Sequence, residues 1–200
     1  STLQLDSGAL ATLYSGTGIY PSRLLGGSQI TGAGLLRVIG GRTALVGQST
    51  ASNIEVTGTA LFGMTPDYAG QGVLGGGTVT VSGTFSTTGG WAWLEGNGTG
   101  GGVVVAPTGA MQLGAAATTV RGGFTLTNQS TTGQSTINGA AVTFNSGPGY
   151  LVNSGTMTLQ SGSVDNVPAS GGYGSITNSG LLVAEAGTNN TFALNTTVYN

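Results

Sequence analysis

Asn128-Gln129-Ser130, Asn153-Ser154-Gly155 and Asn178-Ser179-Gly180 each follow a stretch of alternating apolar and polar residues, and their Asn residues are 25 and again 25 positions apart. A period of that length constrains the fold more than any local propensity. Each unit is too short to bury a core alone and must stack on its copies. The register extends to other positions. Leu126, Leu151 and Ile176 align, as do Val142, Val167 and Phe192, then Phe144, Ala169 and Leu194, with Thr132, Met157 and Leu182 in a third stretch. Each unit therefore has room for about three short strands.

The local texture agrees. Leu35-Leu36-Arg37-Val38-Ile39, Thr78-Val79-Thr80-Val81, Gly123-Phe124-Thr125-Leu126-Thr127 and Thr156-Met157-Thr158-Leu159 are short runs with strand periodicity, bounded by Gly, Ser or Asn. No window carries a helical stripe, and Lys, a good helix former, is absent. Disorder is excluded by 38% hydrophobic residues against a net charge of only -2. The chain reads as all-β.

The predicted architecture is a parallel β-helix (β-solenoid) with rungs of about 25 residues, each strand pairing with its equivalent one rung later. A Greek-key sandwich would show similar strands locally, but the long register favours the solenoid. About eight rungs would make a rod somewhat under 40 Å long. Gly and Asn at the corners are expected to supply left-handed backbone conformations. Asn128, Asn153 and Asn178 are expected to form a structural ladder, bonded side chain to side chain along the axis. Upstream the register is less clean, because Val103 sits where the next Asn would fall. Residues 1–200 are read as a single solenoid domain or segment, with less regular rungs over 1–100 and regular ones over 101–200. Loop-like insertions are expected near Tyr20-Pro21 and Thr65-Pro66-Asp67-Tyr68.

The stretches Gly77-Thr78-Val79-Thr80-Val81-Ser82-Gly83-Thr84-Phe85, Gly96-Asn97-Gly98-Thr99-Gly100 and Val103-Val104-Val105-Ala106-Pro107-Thr108-Gly109-Ala110-Met111-Gln112-Leu113 resemble large bacterial surface proteins. These are the autotransporter-passenger-like and filamentous-haemagglutinin-like repeat proteins with β-helical stalks. The later Asn-Ser-Gly units are similar to the same group, so the resemblance covers residues 77–195. It implies a secreted or surface-displayed structural or adhesive role. The chain has no Asn-Pro-Asn secretion motif and no Arg-Gly-Asp, so neither a secretion route nor a receptor carries over.

Composition removes several functional classes. Four Arg and no Lys cannot build the basic surface that nucleic-acid binding requires. The absence of Cys and His removes thiolate chemistry, His catalysis and the usual zinc ligands. No apolar run approaches the roughly 20 residues of a membrane helix, so membrane insertion is not expected. Residue 1 is Ser with no basic-then-apolar segment after it, so the expectation is a mature or excised chain. No cofactor is expected.

The acids are Asp6, Glu55, Asp67, Glu95, Asp165 and Glu185. None lies beside another by local sequence, and the many Ser residues have no His or Lys base, so the chain reads as a non-enzyme. Gly96-Asn97-Gly98-Thr99-Gly100-Gly101 matches a dinucleotide fingerprint by letters, but strand-like residues follow instead of a helix, so it reads as a turn. Asn97, Asn128, Asn189 and Asn195 head Asn-x-Ser/Thr sequons that a chain this rich in Ser and Thr produces by chance.

Two binding alternatives stay open. Trp91 and Trp93 share one face of a strand. Outward, they would form a platform for sugar rings; inward, they would plug a wide rung. Thr57/Thr59, Thr78/Thr80, Thr125/Thr127 and Thr156/Thr158 resemble the Thr ladders of ice-binding solenoids, but their starts are 21, 47 and 31 residues apart, and Thr suits any exposed strand. The leading expectation is an extracellular structural or adhesive solenoid of the bacterial cell surface. Its partners would be glycans or copies of itself, associated end to end or laterally. Phe192 and Leu194 are the candidate axial stacking edge, in a terminal stretch with no charge and no Pro to blunt it.

Overall fold

The structure is a computed structural model that describes residues 1–14, 22–57, 60–63, 65–66, 73–74, 76–87, 91–96, 100–114, 117–139, 141–145, 147–167, 173–185 and 192–200. These residues form an all-β parallel solenoid of three sheets, with no helix among them. Sheet A stacks nine strands: Thr2–Gln4, Gln29–Thr31, Gln48–Ala51, Thr78–Val81, Gly102–Val105, Phe124–Asn128, Gly149–Asn153, Gly174–Asn178 and Thr197–Tyr199. Sheets B and C stack eight strands each. Following the chain, a strand of A is followed by one of B and one of C, then the next of A. Strand spacing of about 4.8 Å makes sheet A about 38 Å long.

The period-two pattern decides which side chains form the core. In Thr78–Val81 the two Val are buried and the two Thr face out. Parallel pairing then stacks like on like. Val79, Val103, Leu126, Leu151, Ile176 and Val198 lie in one inward column of sheet A. Phe62, Phe85, Phe124 and Phe144 are the largest fully buried side chains, each removing enough apolar surface to stabilise the fold by about 1.5–3 kcal/mol.

The neighbouring inward column changes chemistry along the axis. It runs Leu3, Ile30, Ala51, Val81, Val105 and then Asn128, Asn153, Asn178. Sequence counting puts Val103 opposite Asn128. The structure puts Val105 there, because that coil is 23 residues long. The amide column thus continues an aliphatic one.

The 25-residue register holds in sheet A from Phe124–Asn128 to Gly174–Asn178 and at Met157 opposite Leu182 in sheet B, and fails at the other aligned positions. In sheet C, Val142 faces Val164 and not Val167, Phe144 faces Asn166 and not Ala169, and Leu194 faces Val164. Ala169 itself lies outside the described residues. Thr132 is not in a strand; the sheet B strand of its coil is Thr136–Asn138. Hydrogen bonding fixes the register of paired strands only, so corner segments are free to differ in length. Two residues, Ser154-Gly155 or Ser179-Gly180, connect A to B after Asn153 and Asn178, whereas seven do so after Asn128.

The corner glycines also differ from expectation. Gly155 and Gly180 are not in the left-handed region. They are required by space: a Cβ on Gly155 would lie 2.1 Å from the Ser130 carbonyl oxygen, and one on Gly180 2.1 Å from that of Gly155. Left-handed glycines serve other corners, as at Gly122 and Gly123 with φ of 63° and 82°. The expected insertion near Thr65 is present in part. Thr65–Pro66 pairs antiparallel with Val73–Leu74 as a small sheet outside the three main ones. Asp67, Tyr68, Tyr20 and Pro21 lie outside the described residues.

Candidate functional site

Trp93 lies on the sheet C strand Ala92–Glu95, with Trp91 immediately before it. Ala92 and Leu94 are fully buried, so alternation turns the intervening Trp outward. Trp91 is 56% exposed and Trp93 41% exposed. The rings therefore do not plug the coil; aliphatic and Phe side chains already fill it.

One coil later, Arg121 sits across from Glu95 and bonds it at 2.7 Å through Nη2. Its guanidinium carbon is 4.7 Å from the Trp93 ring centroid, a cation–π contact worth about 0.5–1 kcal/mol at such a site. Nothing in the sequence alone marks Arg121 as part of this site. The available signal was its position about one period after Glu95, and it becomes readable only once the coil length is known. Pinned by Arg121, the Trp93 ring loses less freedom when a ligand lands on it. Along the same outward file lie Thr119, Thr143, Asp165 and Asn195. The Asn195 amide donates to the Asp165 carboxylate at 2.6 Å. An aromatic platform followed by hydroxyl, carboxylate and amide groups on one flat file can stack on a sugar ring and hydrogen-bond its neighbours.

The Asn column is built for structure. Asn128 Nδ2 donates to Asn153 Oδ1 at 2.8 Å, and Asn153 Nδ2 donates to Asn178 Oδ1 at 2.8 Å. Asn178 Nδ2 in turn donates to Asn200 Oδ1 at 3.1 Å, which adds a residue to the ladder. Where Val105 ends the column, the Asn128 oxygen instead accepts from Ser135 Oγ at 2.9 Å and the Ser130 amide at 3.3 Å. The backbone joins in. The Asn128 carbonyl accepts from Ser154 and Gly155, and that of Asn153 from Ser179 and Gly180. Asn128 is fully buried, so its sequon is inaccessible in the folded chain. The sequon Asn195 is exposed, while Asn97 and Asn189 lie outside the described residues.

The remaining candidates are not brought together. Glu55 pairs with Arg37 and Glu95 with Arg121, each across adjacent strands. Asp6 accepts from Gln4, and Asp165 from Ser163 and Asn195. Glu185 is exposed, and Asp67 lies outside the described residues. No group of three acids forms a metal-binding cluster among the described residues. Gly96 is followed after the undescribed 97–99 by the strand Gly102–Val105. Thr78 and Thr125 share a file with Gly102 between them, and Thr80 and Thr127 share one with Val104 between them. Thr156 and Thr158 lie in sheet B, and Thr59 lies outside the described residues, so these pairs do not make one continuous Thr plane.

At the last strand of sheet C, Phe192 pairs with Gly162 and Leu194 with Val164. Leu194 continues an inward column yet is 41% exposed, because no described strand covers it. Leu3, at the opposite end, is 45% exposed for the same reason.

Comparison with protein-family models, with curated proteins and with solved structures finds no match to this chain.

Proposed function

We propose that the chain is a structural and adhesive β-solenoid segment of a bacterial surface protein or filament, working outside the cell. The observation that carries this reading is the combination of a ladder-built, axially hydrogen-bonded body with an outward Trp pair on sheet C. A rod of this kind holds its faces at fixed spacing, and many weak contacts along one file add through effective concentration. Its charges are few, and two Arg–Glu pairs neutralise four of them. The outer faces are therefore left mostly to hydroxyl, amide and aromatic groups.

The Trp pair gives the reading its contact. Exposed rings on a rigid strand stack on the apolar C–H face of pyranoses, and Thr119 and Thr143 next along the file supply hydroxyls. In the same reading the unpaired outer strands of the sheets, with Leu194 over the end of the core, receive a second copy stacked head to tail. The test is binding of the purified chain to an array of immobilised glycans. Wild type is expected to bind a defined subset, and Trp91→Ala/Trp93→Ala to lose it while keeping its β-rich circular dichroism. A wild-type chain that binds no glycan would remove the adhesive part and leave a scaffold only.

A further inference from the structure

Sheet A carries a second aromatic site, distinct from the Trp pair. Tyr150, Tyr173 and Tyr199 line a surface cleft of about 230 Å³ together with Asn166, Ser175 and Thr197. The sequence hides it. The three Tyr come from three successive coils, and only pairing of Tyr150 with Ser175, Ser175 with Thr197 and Thr177 with Tyr199 brings them to one patch. Their exposures are 38%, 73% and 60%, so three rings converge on solvent where burial would be the ordinary fate of aromatic surface.

Side chains tie down the backbone at one wall of the cleft. The Asn166 amide nitrogen donates to the Gly174 carbonyl at 3.2 Å, while its oxygen accepts from the Gly174 amide at 2.8 Å. Thr196 Oγ1 donates to the same carbonyl at 2.9 Å. The backbone beside Tyr173 is thereby fixed before any ligand arrives, which lowers the ordering cost of binding. Among the described residues that line the cleft, none is charged.

We infer that the tyrosine cleft of sheet A is a binding site for a neutral saccharide. Aromatic faces match the C–H faces of a pyranose, and the phenol, Ser and Thr hydroxyls match its hydroxyl edge. With no cation among the described lining residues, phosphates, uronic acids and other anions are disfavoured, since their desolvation would go unrepaid by those residues. The cleft lies about three strand spacings, or about 14 Å, along the axis from Trp93, and on a different sheet. Its occupancy therefore does not depend on the Trp pair.

The test is saturation-transfer NMR and calorimetric titration with cellohexaose, laminarihexaose, mannohexaose and chitohexaose, with hexagalacturonate as the anionic control. At least one neutral oligosaccharide is expected to bind. Tyr173→Ala and, separately, Tyr199→Ala are each expected to weaken it about tenfold, as loss of one stacking ring would. Tyr173→Phe should retain most of the affinity, and Trp91→Ala/Trp93→Ala should leave this site's binding in place. The inference is overturned if none of the four neutral probes binds, or if the anionic control binds as well as they do. It is also overturned if binding disappears in the Trp double variant and survives in both Tyr→Ala variants. That last outcome would leave the Trp reading standing.

Discussion

Asn128 and Asn153, 25 residues apart in sequence, share a 2.8 Å side-chain hydrogen bond, and neither has any solvent-exposed surface. The bond lies in a column that is aliphatic on one side of Asn128 and amide on the other. An Asn in the middle of that column donates upward and accepts from below, so removing it leaves two neighbours short of a partner.

Asn153→Ala is expected to destabilise the fold by about 1–3 kcal/mol, since the buried Asn128 loses an acceptor and the half-buried Asn178 a donor. Asn153→Asp should cost more near neutral pH. A carboxylate there is desolvated and cannot donate to the Asn178 oxygen, so its folded-state pKa is raised. Protonation restores a donor, and the deficit relative to wild type should shrink as pH falls from that raised value toward the ordinary Asp range, and level off below it. Thermal melts of both variants at acidic and neutral pH check this. A deficit for Asn153→Asp that grows on acidification would contradict the ladder.

Gly174→Ala should be strongly destabilising. The added Cβ would lie 2.1 Å from Cγ of Phe144, whose ring is fully buried. Overpacking of this kind costs about 1–3 kcal/mol or more. Combining it with Phe144→Leu should recover part of the loss, because the two changes compete for one volume. Denaturant midpoints of the single and double variants measure that coupling. Strict additivity would show that the clash is relieved elsewhere.

Native trypsin should cut after Arg23 well before Arg121. Arg23 is exposed on the outermost described strand of sheet C, whereas Arg121 lies on a strand paired on both sides and is bound to Glu95. Proteolysis needs local opening of several backbone bonds, which an edge strand provides more readily. Mass spectrometry of a brief digest reads the order, and early cleavage after Arg121 would argue against an ordered sheet there.

Leu194→Lys should suppress end-to-end association. A charge at the exposed end of an inward column must be desolvated before another strand can cover it. Sedimentation velocity across a concentration series is expected to show wild-type oligomers that the variant lacks. A wild-type chain that stays monomeric at the highest concentration would remove head-to-tail stacking.

The sequence by itself determined the class of fold and one column of it. Alternation set which residues of each strand face inward, and the repeat at Asn128, Asn153 and Asn178 identified one column of sheet A. Tertiary structure alone decided what the corners absorb. The position opposite Val142 is Val164, and Asn128 stands on Val105, because backbone pairing fixes strand against strand while loop length is free. The faces followed from the same freedom. Arg121 reaches Trp93, and Tyr150, Tyr173 and Tyr199 share a cleft, only through coil lengths that vary from one turn to the next. Lateral neighbours in a solenoid are set by strand register, and corners of unequal length make the sequence distance between neighbours differ from coil to coil.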